Sequence, residues 1–196
     1  MGMNNKKPIY VLIEGANRVG KTTLIASSLS LFKNYTFIKL PAKVDLKLSI
    51  ENTELFERLA LEEIINLPKD CNLITDRGYI SHVIYKVIRK LYKGQITEMD
   101  IYNELKREFN KILPLVRKAD LIFLLMIPLE HYDKWFNEHV KRFSFLDDPV
   151  KFTYNVYITW QVYQRNFNKN TIFIPAYTDL NFQLRIIKTV KEVFNL

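Results

Sequence analysis

The 196-residue chain has one cysteine, Cys71, and few glycines and prolines, five and seven respectively. A single cysteine excludes an internal disulfide, so packing must stabilise the fold, and we expect a reducing, cytoplasmic location. No apolar run approaches the ~20 residues that a membrane-spanning helix needs. The first residues also lack a signal-peptide core and a lipid-attachment pattern. The sequence therefore predicts a folded protein with no membrane partner.

Composition and charge narrow the class further. Hydrophobic residues make up 48% of the chain and charged residues 26%, which is typical of a globular protein. We expect a single domain spanning 1–196, which is long enough to bury a core. The 29 basic and 21 acidic residues give a net charge of +8, which favours anionic partners. The charge alone does not choose among nucleotides, nucleic acid and acidic lipid. Because the basic residues are scattered rather than clustered in one run, a nucleic-acid-binding function ranks third among the functions considered.

Short apolar runs alternate with longer segments of helical spacing. The five predicted strands lie at 9–13, 35–40, 72–75, 119–127 and 171–174. The predicted helices lie at about 21–32, 53–67, 79–92, 97–113, 128–140, 150–167 and 179–194. This alternation predicts a three-layer α/β fold with a five-stranded parallel sheet flanked by helices. A segment of about 139–149 has no clear period, and we expect a mobile lid there.

A glycine-containing motif lies between the first strand and the first helix. Residues 15–22 fit G-x-x-x-x-G-K-[ST] at every fixed position. Such a loop wraps backbone amides around phosphate, and the following helix adds its positive end. We expect Lys21 to bind the β- and γ-phosphates of ATP and Thr22 to hold Mg²⁺. The predicted nucleotide contacts are Gly15, Asn17, Arg18, Val19, Gly20, Lys21, Thr22 and Thr23.

A second candidate cluster follows the third strand. Asp76 and Arg77 end that strand, and Ser81 comes four residues after Arg77. The carboxyl edge of a parallel sheet is where ligands bind, so these residues are expected beside the loop. Asp76 is predicted to hold Mg²⁺ through water and Arg77 to bind a second phosphate group. The alternative is an ordinary ion pair at a helix start.

Three segments together resemble the thymidylate kinase family of deoxynucleoside monophosphate kinases. They are 14–23, Asp76-Arg77 with Ser81, and 119–124. The resemblance implies a P-loop kinase fold in which Arg18 contacts the transferring phosphoryl group and Arg77 binds the 5′-phosphate of the acceptor. It also implies that Arg58 reads the acceptor base, and that the protein can form a homodimer. Phe56 either stacks on that base or is an ordinary core residue.

The sequence departs from the family pattern at several positions. Pro41-Ala42-Lys43 stands where the family has Pro-Glu-Arg, so Lys43 is expected to contact the acceptor phosphate as a point charge. Asn17 replaces an aspartate near the acceptor sugar, and Gly78 replaces an aromatic residue. These differences concern base recognition more than phosphoryl transfer.

The segment after the second predicted strand bears on the choice of acceptor. A nucleoside 5′-hydroxyl needs a general base, but residues 39–43 contain no carboxylate. A monophosphate is already anionic and needs cations such as Lys43 and Arg77. We therefore predict ATP-dependent transfer to a (deoxy)nucleoside monophosphate, with dTMP preferred. The alternatives are a deoxynucleoside kinase with Asp45 as base, and an ATP-binding, nucleic-acid-associated P-loop protein.

Three further groups of residues have a structural interpretation. Lys141 and Arg142 either close over ATP or form a solvated helix end. The aromatic series at 154, 157, 160 and 163 favours core packing. His82, His131, His139 and Cys71 have no spacing that suggests zinc.

Overall fold

The computed structural model of the chain describes residues 7–41, 52–194 and 196. Five strands form one sheet in the order β2-β3-β1-β4-β5, and all adjacent pairs are parallel. The strands are β1 (Tyr10–Gly15), β2 (Thr36–Lys39), β3 (Leu73–Asp76), β4 (Leu121–Met126) and β5 (Thr171–Pro175). The α-helices of the described residues are α1 (Lys21–Ser28), α2 (Thr53–Ile65), α3 (Tyr79–Tyr92), α4 (Ile101–Ile112), α5 (Tyr132–Arg142), α6 (Pro149–Asn166) and α7 (Leu180–Phe194). The predicted α/β fold with a five-stranded parallel sheet is confirmed.

The centre of the sheet places two chain segments side by side. All residues of β1 are buried, and all but the last of β4, as expected for strands covered on both faces. β1 lies between β3 and β4, with Ile13 opposite Asp76 and Gly15 opposite Leu125. The chain therefore leaves β1 and β3 at neighbouring points of the carboxyl edge. This juxtaposition brings residues 15–22 and 76–81 together.

Helix α3, which follows Arg77, is held against α4 by a cluster of opposite charges. The buried Glu108 carboxylate of α4 lies 2.8 Å from Lys86 Nζ and 3.1 Å from Lys90 Nζ. Burial opposes its charge, but bonds from Lys86, Lys111 and Lys90 hold the pKa of Glu108 at about 2. The cluster therefore stabilises the position of α3. No helix of the described ranges is both long and apolar enough to cross a bilayer.

The segment predicted as a lid differs from the expectation in its secondary structure. Helix α5 continues to Arg142, two residues further than predicted, and α6 begins at Pro149, so the connection is only 143–148. Phe143 is 6% exposed and packs on His139 and Phe152. An apolar anchor in this connection explains why the helix extends into it. Closure of this segment over a nucleotide stays a prediction.

The aromatic series of α6 is only partly in the core. Trp160 and Tyr163 are buried, but Tyr154 is 41% exposed, with its hydroxyl 3.4 Å from Glu98. A spacing of three residues falls about 60° short of a full turn at each step. The series therefore rotates around the helix, and its first member faces solvent.

Candidate active site

The connection from β1 to α1 is a loop with left-handed backbone at three positions. Gly15, Arg18 and Gly20 have φ values of 141°, 65° and 87°. A Cβ atom at Gly15 would lie 2.7 Å from the carbonyl oxygen of Leu125, so glycine is required there. Gly20 is the N-cap of α1 and accepts the first bond of the helix, from Leu24.

The backbone amides of this loop are free to bind an anion. Within the described ranges, no N–H group of residues 17–22 donates to a protein acceptor. A row of such amides at a helix N-terminus is an anion-binding site. Residues 15 and 17–23, predicted to contact ATP, form this loop and the first turn of α1. Val19 is 2% exposed, and its side chain belongs to the hydrophobic core.

Lys21 is the buried cation of the loop. Its side chain is 6% exposed, and Nζ donates to the carbonyl oxygens of Gly15 at 2.9 Å and Ala16 at 2.5 Å. Burial and then Arg77 lower the pKa of Lys21 well below its ordinary value, although Asp76 and Glu14 oppose this. A negative ligand in the loop would stabilise the charged ammonium. The site therefore favours polyphosphate electrostatically.

Arg77 is held next to the loop by three neighbours. Its Nη2 donates to Oδ1 of Asn17, its Nη1 to Oγ of Ser81 at 3.3 Å, and its Cζ lies 5.3 Å from the Tyr85 ring centroid. Burial opposes the charged form, but Tyr85, Glu14 and Asp76 outweigh it and raise the pKa of Arg77. The guanidinium is thus a fixed, charged group beside residue 17 of the loop.

Glu14 is a functional candidate that the sequence reasoning did not single out. Its fully buried carboxylate accepts bonds from the Ser81 amide at 3.0 Å and from the Ser81 hydroxyl. Burial raises the pKa of Glu14, while Ser81, Arg77 and Lys21 oppose the rise. The signal available in the sequence was a charged residue near the end of an otherwise apolar strand. Glu14 joins β1 to the start of α3.

Two oxygen-bearing residues at this edge fit a magnesium ion. Asp76 is 4% exposed, and its Oδ1 is buried without a hydrogen-bond partner among the described residues. Asp76 is near enough to the first turn of α1 for its charge to oppose the lowering of the Lys21 pKa. The next residue of that turn, Thr22, is exposed and offers a hydroxyl oxygen. Carboxylate and hydroxyl oxygens suit Mg²⁺. The parts of the chain that the structure describes contain no group of three or more His, Cys, Asp or Glu placed to bind a metal.

Two aromatic side chains contact the loop from outside, and sequence reasoning missed this role for both. Trp135 Nε1 donates to the Asn17 carbonyl and the Tyr177 hydroxyl to the Arg18 carbonyl, each at 2.8 Å. These contacts join residues 118 and 159 positions apart. No local spacing in the sequence could have revealed them.

The remaining predicted substrate residues are not joined to the cluster. Arg58 has a side chain 70% exposed, with Nε 4.0 Å from Glu62. Phe56 is half-buried on the same helix, and Arg142 is exposed, with Cζ 6.0 Å from the Phe143 ring. Among the described residues, no hydrogen bond or ion pair connects these three with Arg77 or the loop. Lys43 and Asp45 lie outside the described residues.

Comparison with known proteins identifies the fold. No family model matches the chain, and no curated protein matches it in sequence. A deoxyadenosine kinase from M. mycoides with bound dATP has a TM-score of 0.68 and 16% identity, over 94% of this chain and 100% of that one. A thymidylate kinase from Candida albicans has a TM-score of 0.60 and 19% identity, over 96% and 93%. A thymidylate kinase from Ehrlichia chaffeensis has a TM-score of 0.56 and 19% identity, over 95% and 100%. The chain therefore has the P-loop kinase fold found in thymidylate kinases and deoxyadenosine kinases.

Proposed function

We propose that this protein transfers the γ-phosphoryl group of ATP to a deoxynucleoside monophosphate, with dTMP the preferred acceptor. The observation that carries the proposal is the position of Arg77. Its guanidinium is fixed beside the anion-binding loop by bonds to two neutral groups, the Asn17 amide oxygen and the Ser81 hydroxyl. A planar guanidinium with unused donors suits a phosphate group.

The donor half of the reaction uses the loop. The amides of residues 17–22 and the Lys21 ammonium bind the β- and γ-phosphates, and Arg18 contacts the group in transfer. Thr22 and Asp76 would hold Mg²⁺, which would supply positive charge to the polyphosphate when bound. Phosphoryl transfer depends mainly on alignment and charge stabilisation, so these groups need no covalent step.

The acceptor half uses Arg77 to hold the 5′-phosphate in line with the γ-phosphate. A phosphate oxygen is already a nucleophile, so the reaction needs no general base. Glu14 cannot serve as one, because its carboxylate is fully buried and bonded to Ser81. The family resemblance supports Lys43 as a second phosphate contact and Arg58 as a base contact, and Phe56 either stacks on the base or is an ordinary core residue.

A deoxynucleoside kinase is the second candidate. The observation that favours it is the higher TM-score of the deoxyadenosine kinase, 0.68 against 0.60 for the Candida albicans thymidylate kinase. This reaction needs a base for the 5′-hydroxyl, and the sequence offers Asp45 for that role. The two candidates differ in acceptor and product, so one assay separates them.

The assay supplies purified protein with Mg²⁺, radiolabelled ATP and each natural deoxynucleoside or deoxynucleoside monophosphate in turn. We expect labelled diphosphate, most rapidly from dTMP. Turnover of nucleosides alone would support the second candidate instead.

Variants test the roles of the two cations in the same assay. We expect Lys21→Ala to abolish transfer and Arg77→Ala to lower kcat/KM for the acceptor about 100-fold, the effect of losing a charge-assisted phosphate contact. Arg185→Ala, at an exposed position of α7, is the matched control and should retain activity. Full activity of Arg77→Ala would contradict the assignment of the acceptor phosphate to Arg77.

A further inference from the structure

Two consecutive carbonyl groups of the phosphate loop are held from outside the loop. The Asn17 carbonyl accepts from Trp135 Nε1 and the Arg18 carbonyl from the Tyr177 hydroxyl, each at 2.8 Å. Trp135 is fully buried on α5, and Tyr177 follows β5. Two separate elements of the fold therefore fix adjacent peptide units of the loop.

Because a peptide unit is planar, fixing its carbonyl group also fixes the direction of the N–H group of the next residue. In a trans peptide unit the C=O and N–H bonds point in opposite directions. The only cis bond of the described residues is Leu40-Pro41. With the Asn17 carbonyl directed at Trp135, the Arg18 N–H points away from Trp135. By the same geometry, the Val19 N–H points away from Tyr177, and neither N–H donates to a described protein acceptor.

Both residues of the contact between Tyr177 and Arg18 have left-handed backbone conformations. Arg18 and Tyr177 have φ values of 65° and 61°, where residues with a Cβ are uncommon. Such conformations persist only where the surroundings hold them, and they concentrate at functional sites. The Tyr177 ring has His131 at 5.7 Å between centroids and Lys134 Nζ at 5.3 Å, both preceding Trp135 in the chain.

The Tyr177 hydroxyl remains a donor at neutral pH. Burial, and then the charge of Glu138 and a side-chain hydrogen bond with it, raise the pKa of Tyr177 to about 12, although Arg18 opposes the rise. An indole N–H is likewise always a donor. Neither group therefore loses its donor proton near neutral pH.

We propose that Trp135 and Tyr177 are positioning residues of the phosphate loop, which orient the N–H groups of Arg18 and Val19 toward a bound polyphosphate. The inference rests on the proposed function only in requiring that the loop binds a triphosphate. Donors that are oriented in advance bind an anion more tightly, because less order must be imposed on binding. The two side chains contribute to affinity without touching the ligand.

The test is the Kd of a non-hydrolysable ATP analogue with Mg²⁺, measured by titration calorimetry on Trp135→Phe and Tyr177→Phe. Each variant keeps an aromatic ring and removes one donor to the loop. We expect each to raise Kd about threefold to tenfold, the effect of one hydrogen bond. The matched controls are Trp160→Phe, whose buried Nε1 has no partner among the described residues, and Tyr102→Phe, whose ring packs on Phe167. The controls should retain the wild-type Kd.

Thermal melting of the free variants separates positioning from general stability. A purely structural role would lower the melting temperature of Trp135→Phe and leave the Kd of the folded protein unchanged. That result, or an unchanged Kd in Tyr177→Phe, would overturn the inference. Wild-type protein that binds the analogue but phosphorylates no acceptor would contradict the proposed function alone. Wild-type protein that does not bind it would contradict both.

Discussion

The buried carboxylate of Glu14 lies near two cations of the site, Lys21 and Arg77. Glu14 is fully buried and lies close enough to both cations for its charge to oppose the lowering of the Lys21 pKa and to contribute to the raised pKa of Arg77. It bonds Ser81, which also accepts from Arg77. Buried charges persist when they are paired and hydrogen-bonded. Glu14 therefore stabilises the arrangement that the proposed acceptor site requires.

Replacing Glu14 by glutamine tests this arrangement. At pH 8, above the pKa of about 7 that burial gives Glu14, we expect Glu14→Gln to lower the free energy of unfolding by about 3 kcal/mol, because Lys21 and Arg77 lose one of two nearby negative charges and keep only Asp76. Urea denaturation measures the change, and Glu192→Gln, at an exposed position of α7, is the control. A loss no larger than that of the control would show that Glu14 does not compensate these cations.

For single residues, the sequence predicts roles that depend on neighbours in the chain and misses roles that depend on partners far away in the chain. Gly15 and Lys21 could be identified because their roles follow from spacing within one loop. Trp135 and Tyr177 could not, because their partners lie 118 and 159 residues away in the chain. Glu14 was visible as a charged residue in an apolar strand, but its partner Ser81, 67 residues away, was not. Only the fold brings such groups together.

Most secondary-structure elements follow from local signals, and the exceptions have identifiable causes. Helix α3 spans Tyr79–Tyr92 as predicted, with Gly94 in left-handed backbone after its end. A capping box of Thr97 and Asp100 lies at the predicted start of the next helix. The end of α5 was wrong because burial of Phe143, a tertiary contact, extends the helix. Tertiary packing here overrides the local pattern.

The interface between α5 and α6 contains a titratable group with a predictable effect on stability. His139 of α5 is fully buried, and its Nδ1 lies 2.8 Å from Thr153 Oγ1 of α6. Burial, and then the charges of Arg142, Arg18 and Arg77, lower the pKa of His139 to about 3 from its ordinary value of 6.5. Between about pH 3 and pH 6.5, His139 is therefore neutral in the folded protein and protonated in the unfolded chain.

Stability should consequently fall as the pH drops below 6.5. Between pH 6.5 and 4.5 the unfolded state binds more protons, and His139 alone should remove roughly 2 kcal/mol of unfolding free energy. His139→Gln is expected to be less stable at pH 8 but to lose less than the wild type on acidification. Denaturant titrations at several pH values measure both slopes. Equal slopes for the two proteins would show that His139 is not the titrating group.

For the whole molecule, the parallel sheet determines where chemistry can occur. It aligns the carboxyl ends of β1 and β3, which brings the loop, Asp76 and Arg77 to one edge. This much was predictable from alternating strands and helices. Base recognition by Phe56 and Arg58 stays a prediction, because residues two apart on a helix project in different directions and, among the described residues, neither is bonded to Arg77. The structure shows Arg58 exposed beside Glu62.

A crystal structure of the protein with Mg²⁺, a non-hydrolysable ATP analogue and dTMP would examine the loop and Arg77 together. We expect the β-phosphate within hydrogen-bond distance of the amides of residues 17–22 and of Lys21 Nζ, with the dTMP phosphate on Arg77. A complex in which Lys21 still donates only to Gly15 and Ala16, with the polyphosphate bound elsewhere, would contradict the proposed phosphate-binding role of the loop.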